Sequence, residues 1–237
     1  NHLYILQTDV NEGVEASWVK EHGVISYSDI VTAEEDLTVT YAGLSSVNTT
    51  TPGDTQFSVR VVDEAGNDVE KSVTVTIVPK MSANASITLI PSEVAGADWK
   101  TLSGVVAYKV SPTSSVPYTV FDIDATSVLT TPGTYTLTIT TEDGQTTTVS
   151  VVVVGASVEN YDLYVNLDDV KDEAWFITEA GIVASPVSGS VTNLDLSGVD
   201  FTTAGDYDIT ISVSYDGKTG TLDQTLKVHV LPYLSAK

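Results

Sequence analysis

Carboxylate side chains form the densest groups in this sequence that could do chemistry. One group is Asp168, Asp169, Asp172 and Glu173, and a second group consists of Asp63 and Asp68 around a turn. Carboxylate oxygens are ligands that calcium accepts, so both groups are candidate calcium ligands, and calcium is the one cofactor considered. The sequence contains no Asp-x-Asp-x-Asp-Gly loop, and acidic loops facing solvent explain the same residues. Both interpretations stay open at this stage.

The residue types needed for covalent or metal-assisted catalysis are scarce. The chain has no cysteine, and its three histidines (His2, His22 and His229) have no nucleophile motif beside them. No glycine-rich phosphate loop follows a strand and opens a helix. We therefore expect no catalytic residues, no enzyme activity and no cofactor other than calcium.

Aromatic residues recur at matched positions along the chain. Trp18, Trp99 and Trp175 are separated by 81 and 76 residues, and each follows an acidic stretch. We expect each tryptophan to cover one end of a core, while stacking on sugar rings is the alternative. Tyr135 and Tyr207 lie where a sandwich fold places a tyrosine whose hydroxyl bonds back to the main chain.

Strands must position these residues, and three stretches carry the same strand signal. Thr51–Ile77, Thr131–Val154 and Thr203–Val230 each show a glycine turn, an alternating strand, a tight reversal and a second strand. Alternation of period two around an Asp-Gly or similar turn indicates a β-hairpin. The first glycines of these stretches are 80 and 72 residues apart, which indicates a threefold repeat. The only helical turn expected is at Ala33 to Asp36.

Further landmarks carry a family resemblance. They are Gly23-Val24, Gly104-Val105 and Gly181-Ile182, then Gly133-Thr134-Tyr135 and Gly205-Asp206-Tyr207, and the turn at residues 63–67. At these positions the chain resembles the bacterial immunoglobulin-like repeats of cell-surface proteins, of the group-three type. The first repeat departs from the pattern, because two extra residues precede Phe57 in place of the tyrosine. The resemblance implies stalks, spacers and some adhesive modules, without a fixed ligand or catalytic residues.

The pattern predicts an all-β protein with three tandem immunoglobulin-like β-sandwich domains in an elongated array. The expected domains are residues 1–79, 80–155 and 156–237, with about six to eight strands each. Alternating strands leave one face of each sheet wet, so two sheets must pack their apolar faces together.

Net charge limits the partners. At −22 with a single arginine, the chain lacks the basic surface that nucleic acids require. No apolar span of membrane length appears, so we expect no membrane insertion. We expect a monomeric structural or adhesive segment of a bacterial cell-surface or secreted protein, outside the cell, acting as a stalk or binding host protein or glycan. The alternative is an accessory carbohydrate-binding or spacer region of an extracellular polysaccharide-degrading enzyme.

Overall fold

The computed structural model of the chain describes residues 2–22, 27–186, 191–215 and 218–233. The strands in these residues are β1 (His2–Leu6), β2 (Thr38–Ala42), β3 (Gly53–Val62), β4 (Asp68–Val78), β5 (Ser86–Leu89), β6 (Tyr108–Ser111), β7 (Ser114–Pro117), β8 (Asp122–Asp124), β9 (Gly133–Thr140), β10 (Thr146–Val153), β11 (Gly155–Ser157), β12 (Asp162–Asn166), β13 (Val183–Ser185), β14 (Val191–Asp195), β15 (Gly205–Tyr215) and β16 (Lys218–Leu231). The α-helices are α1 (Ala16–Glu21), α2 (Pro91–Val94), α3 (Trp99–Ser103) and α4 (Glu173–Glu179), and 3₁₀ turns lie at Glu34–Asp36 and Leu44–Ser46.

One strand order occurs in three four-stranded sheets: β1-β4-β3-β2, β5-β10-β9-β8 and β12-β16-β15-β14. In each sheet the strand that comes first in the chain pairs in parallel with the strand that comes last: β1 with β4, β5 with β10, and β12 with β16. The neighbouring pairs β3–β4 and β15–β16 are antiparallel, as are β2–β3 and β14–β15. The three predicted hairpins are therefore confirmed as strand pairs, and the predicted all-β, immunoglobulin-like sandwich class is confirmed.

The hairpin reversals follow from local turn chemistry. Between β9 and β10, the Thr141 amide donates to the Gln145 carbonyl (2.9 Å), and Gly144 has a φ of 87°. That left-handed conformation favours glycine because it carries no Cβ. Asp63 and Asn67 close the corresponding turn between β3 and β4. The predicted third reversal, Asp216-Gly217, lies outside the described residues.

Helices at the tryptophans are a feature that the sequence interpretation missed. The expected turn at Ala33 to Asp36 is a 3₁₀ turn over Glu34–Asp36, but Trp18, Trp99 and Trp175 also lie in short α-helices. Asp98 and Asp172 cap α3 and α4 through hydrogen bonds to the amides of Thr101 (3.2 Å) and Trp175 (2.9 Å).

The recurring glycine landmark has a structural explanation in two of its three copies. Gly104 ends α3 with a φ of 58°, and Gly181 follows α4 with a φ of 60°. A left-handed glycine after the last turn is a frequent helix terminator. The interval of five or six residues between tryptophan and glycine is thus one short helix. The copy at Gly23-Val24 lies outside the described residues.

The first sheet buries one face against helix α1 and a loop. Leu3 on β1 and Val73, Val75 and Ile77 on β4 have at most 1% of their surface exposed. They pack in one cluster with Val19 of α1 and with Leu44 and Val47 beside the second 3₁₀ turn. The residues between them, Tyr4, Thr74 and Thr76, are half-buried, which is the pattern expected of a sheet with one wet face.

The third sheet has a comparable core with a second small sheet over it. Phe176 of α4, Ala156 of β11 and Ile209 of β15 belong to a single buried cluster. Strand β11 pairs with β13 to form a two-stranded sheet, so the layer opposite the main sheet combines strands and a helix.

Four strands lie in the described part of residues 2–79, where a helix and 3₁₀ turns cover the core face of the sheet. Residues 23–26 lie outside the described part, so the six to eight strands expected for this repeat stay a prediction. By density of contacts, one compact unit is Asn1–Ala83, Val105–Asp122 and Thr140–Thr147, and the other is Asn84–Gly104, Ile123–Ile139 and Thr148–Lys237. The domain borders at residues 79 and 155 stay predictions.

None of the helices in the described ranges is long and apolar enough to span a bilayer.

Candidate functional site

Four aromatic residues line a cleft of about 290 Å³ within the first compact unit. Tyr4 comes from β1, Trp18 from α1, His22 from the residue after α1, and Tyr108 from β6. Asp143 and Gln145, in the turn between β9 and β10, add polar groups to the cleft wall. We call this surface the aromatic cleft.

Strand alternation explains why Tyr4 faces the cleft. Its neighbour Leu3 is fully buried in the first core, so Tyr4 points to the opposite side of β1. The Tyr4 ring stacks on the His2 ring, with centroids 4.5 Å apart and planes 6° from parallel. The Tyr4 amide donates to the Pro112 carbonyl at 3.0 Å, which holds the backbone of β1 at this side of the cleft.

Helix α1 presents Trp18 to the cleft because its next residue, Val19, is the one that enters the core. Val19 is 0% exposed, whereas Trp18 is half-buried at the edge of the same cluster. The rings of Trp18 and His22 stack with centroids 4.4 Å apart. His22 Nδ1 lies 2.9 Å from the Trp18 carbonyl oxygen, and a carbonyl only accepts, so Nδ1 is the donor.

Gln145 leaves one acceptor unsatisfied at the cleft. Its Nε2 donates to the Tyr108 carbonyl at 3.0 Å and to Asp143 Oδ2 at 3.1 Å. Both partners only accept, so the amide orientation is fixed and Oε1 points away from them. Gln145 Oε1 is buried and has no hydrogen-bond partner among the described residues. A buried acceptor without a donor is costly unless a ligand or water supplies one.

Two hydroxyls and one carboxylate complete the polar groups. Neither the Tyr4 nor the Tyr108 hydroxyl has a hydrogen-bond partner in the described part of the chain. The hydroxyl of Thr141 donates to Asp143 and holds the pKa of that carboxyl below its usual range, assisted by Gln145. Asp143 is therefore ionised at neutral pH and accepts hydrogen bonds. The cleft combines aromatic residues with donors and acceptors, a combination that suits binding.

The predicted calcium ligands Asp63 and Asp68 already bond to other groups of the protein. Asp63 accepts hydrogen bonds from the Asn67 amide and side chain, both at 2.7 Å. Asp68 pairs with Arg60 at 2.8 Å, and this contact lowers the pKa of the Asp68 carboxyl. Both residues also line a second cleft of about 470 Å³.

The other predicted calcium ligands, Asp168, Asp169, Asp172 and Glu173, have separate structural roles. Asp172 caps α4, and Glu173 accepts from the Leu194 amide at 2.8 Å. Asp169 pairs with Lys171 at 2.8 Å, and Asp168 accepts from the Tyr233 hydroxyl at 3.1 Å. Within the described residues no three histidine, aspartate or glutamate side chains are grouped to hold a metal ion. Calcium binding stays a prediction.

The tryptophans lie at the borders of the cores. Trp18, Trp99 and Trp175 are all half-buried. Trp175 meets the buried Phe176 edge to face at 5.0 Å, and Lys171 Nζ lies 5.4 Å from its ring centroid. We expected each tryptophan to cover one end of a core. In two copies the fully buried residue is the one that follows the tryptophan, Val19 or Phe176. Trp18 is the tryptophan that reaches the aromatic cleft.

The two predicted corner tyrosines make the main-chain bond expected of them. The Tyr135 hydroxyl donates to the Thr131 carbonyl and the Tyr207 hydroxyl donates to the Thr203 carbonyl, both at 2.8 Å. The Tyr135 hydroxyl would lie 2.9 Å from a Cβ on Gly133, so a side chain there would displace the ring.

In the first repeat, phenylalanine does not take the place of the corner tyrosine as expected. Counting from the strand glycines Gly53 and Gly205, Thr55 occupies the register position of Tyr207, and Phe57 occupies that of Ile209. Phe57 is accordingly a core residue, 3% exposed. Thr55 Oγ1 is buried without a partner among the described residues, so this copy lacks the corner bond. The sequence interpretation counted two extra residues before Phe57, because spacing along the sequence does not show strand register.

His229 forms a second polar cluster, on the wet face of the third sheet. Its Nδ1 lies 2.7 Å from Asp206 and its Nε2 lies 3.2 Å from Asp162, while the Tyr164 ring stacks on it at 4.7 Å. The carboxylates of Asp206 and Asp162 raise the pKa of His229. His229 points away from the core, since Val228 and Val230 on either side are buried.

Comparisons with known proteins show likenesses at low similarity. No family model matches the chain. No curated protein matches it either. One similar solved structure is the M60 catalytic domain with the CBM51-1 and CBM51-2 domains of Clostridium perfringens ZmpB, at 12% identity and TM-score 0.23, with 84% of this chain and 28% of that chain covered.

Two further solved structures are similar over most of the chain. Mouse cadherin-23 EC22-24 has 12% identity and a TM-score of 0.25, with 98% of this chain and 96% of that chain covered. The Bacteroides ovatus mixed-linkage glucan utilization protein SGBP-B, in complex with a mixed-linkage heptasaccharide, has 13% identity and a TM-score of 0.18, with 97% and 66% covered. The chain thus spans 28% of the ZmpB chain and 66% of SGBP-B. At these TM-scores the likenesses carry no functional argument, and the group-three resemblance stays a prediction.

Proposed function

We propose that this chain is a non-catalytic structural and adhesive segment of a bacterial cell-surface or secreted protein, and that it binds its ligand in the aromatic cleft. The observation that carries the proposal is the combination of four aromatic residues with the ionised Asp143 and the Gln145 amide along one cleft. Aromatic surface with a few polar groups beside it is typical of ligand sites.

The non-catalytic part of the proposal follows from how the reactive groups of the cleft are used. His22 Nδ1 is bound to the carbonyl of its own helix, and Asp143 is bound to Thr141 and Gln145. The one hydroxyl that meets Asp143, on Thr141, is buried and also accepts from the Gln145 amide, so it belongs to the turn and is not presented to a ligand. Under this proposal the cleft holds a ligand without transferring a proton to it.

The stalk part of the proposal rests on the repeated sheet. Three sheets share one strand order, and a short helix carrying a tryptophan follows the first strand of each repeat, preceded in the second repeat by α2. We assign them to three domains at residues 1–79, 80–155 and 156–237. A monomer outside the cell, without nucleic-acid partners, fits the charge of −22.

The proposal is tested by a binding screen of the whole chain. The purified protein is applied to arrays of glycans and of host extracellular proteins, in parallel with a Tyr4→Ala variant. We expect a ligand whose signal falls when Tyr4 is replaced. A signal that is unchanged in the variant would place binding elsewhere, and turnover of any arrayed glycan would refute the non-catalytic assignment.

A second candidate is an accessory carbohydrate-binding or spacer region of an extracellular polysaccharide-degrading enzyme. The same aromatic cleft favours it, because such a region also needs ring faces and hydrogen-bonding groups on one surface. The sequence of the full gene separates the two candidates, since a catalytic domain in the same protein would favour the accessory region.

A further inference from the structure

We propose that the aromatic cleft takes an uncharged glycan, one or two sugar units at a time, and rejects acidic sugars. This inference rests on the proposed function, because it names the ligand chemistry of the same cleft. It follows from the ring faces, the free polar groups, the local charge and the size of the cleft.

The ring faces match the apolar side of a sugar. A pyranose presents C–H groups on its faces and hydroxyls around its rim, so it needs a flat apolar partner and polar groups beside it. Tyr4 and Trp18 each stack on a histidine with one face, which fixes their planes. Tyr108 contributes a ring from a different strand, β6. Fixed rings lose little side-chain entropy when a ligand packs on them.

The polar groups of the cleft match the rim of a sugar. The Asp143 carboxylate accepts, and every sugar hydroxyl can supply a donor. The hydroxyls of Tyr4 and Tyr108 have no partner among the described residues and can both donate and accept. A hydroxyl-rich ligand can bond to all three groups, whereas an apolar ligand bonds to none of them.

Charge decides which class of glycan fits. Asp143 is the ionised side chain of the cleft, its lining includes no lysine or arginine, and the whole chain carries −22. A uronate or sialic acid would bring a second negative charge beside Asp143, which is unfavourable. Asp143 already accepts from Thr141 and Gln145, so its remaining lone pairs suit a hydroxyl donor.

Size limits the ligand to a short segment of glycan. The volume of about 290 Å³ lies just below the range of roughly 300–1,000 Å³ for drug-sized ligands. One or two sugar units therefore fill the cleft, and the rest of a longer glycan lies outside it.

The inference is tested by NMR titration of the whole ¹⁵N-labelled chain with two defined probes. Cellotetraose is the uncharged probe and tetragalacturonic acid is the acidic probe. The protein variants are Tyr4→Ala, Tyr108→Phe and Tyr164→Ala. Tyr164 is the matched control, because it holds the register position of Tyr4 in the third sheet and lies outside the cleft.

The uncharged probe should shift the amides around Tyr4, Trp18 and Tyr108. Tyr4→Ala should weaken its binding about tenfold and Tyr108→Phe several-fold, with Tyr164→Ala unchanged. Because Tyr108→Phe removes a single exposed hydroxyl, it keeps the test valid if Tyr4→Ala does not fold. Absence of shifts with the uncharged probe at millimolar concentration, or binding of the acidic probe as strong as that of the uncharged probe, overturns the inference. A protein ligand whose binding needs Tyr4 would leave the proposed function standing while this inference fails.

Discussion

Replacing Phe176 by alanine should destabilise the third core more than replacing its neighbour Trp175. Phe176 is 0% exposed and packs in the cluster that also holds Ala180 and Ile209. Removing a buried phenylalanine side chain costs about 3–5 kcal/mol, because apolar contacts are lost and a cavity is left.

Trp175 contributes less because it is half-buried at the edge of that cluster. It makes an edge-to-face contact with Phe176, worth about 0.5–1.5 kcal/mol, and a cation–π contact with Lys171, worth about 0.5–1 kcal/mol. These two contacts account for about 1–2.5 kcal/mol of the cost of Trp175→Ala, and the apolar surface that the ring buries adds to it. Phe176→Ala should still cost more, because removal of the fully buried ring leaves a cavity.

Urea unfolding followed by far-ultraviolet circular dichroism measures both free energies of unfolding. Phe176→Leu is the matched control, and it should cost less than about 1.5 kcal/mol because it keeps most of the volume. If Trp175→Ala costs as much as Phe176→Ala, then the tryptophan is the plug after all, and the register assigned to α4 is wrong.

Three other substitutions test single contacts. Asp172→Ala should cost about 1 kcal/mol of stability through loss of the α4 cap, equally with and without calcium, and more than Asp169→Ala does; thermal unfolding measures both. Thr55→Val should stabilise the chain by about 1 kcal/mol in the same assay, because it removes a buried hydroxyl without a partner. Asp206→Asn should lower the pKa of His229, which NMR titration measures directly. Since the folded pKa of His229 is raised, the stability linked to its charge is fully present below about pH 6.5 and is lost as pH rises through the raised value.

The hairpins were predictable because their signal is local. Alternation of apolar residues with period two, as in Tyr135, Leu137 and Ile139, places side chains on one face whatever the rest of the chain does. Register between strands is a different matter. The equivalence of Thr55 with Tyr207 depends on which residues face each other across a sheet, and sequence spacing alone assigned Phe57 instead.

The short helices escaped prediction because five to seven residues carry too little periodicity. A signal was nevertheless present at their ends. Asp98 and Asp172 precede the first turns of α3 and α4, and Gly104 and Gly181 follow their last turns. An aspartate cap and a terminating glycine six to nine residues apart bracket a helix even where the pattern between them is silent. One of these caps, Asp172, is also one of the residues that we predicted as calcium ligands.

The aromatic cleft could not be found from the repeat, because the repeat supplies only one of its walls. Tyr4 and Tyr164 hold the same register position in the first and third sheets, and each stacks on a histidine. Tyr164 is nevertheless 61% exposed, whereas Tyr4 is half-buried. The difference is the second wall, since Tyr108 and Gln145 line the cleft with Tyr4 and come from segments more than 100 residues along the chain. A copied tyrosine is enclosed only where a second segment of the chain faces it, so under the proposed function the residues of that second wall, above all Tyr108, determine whether a ligand is held.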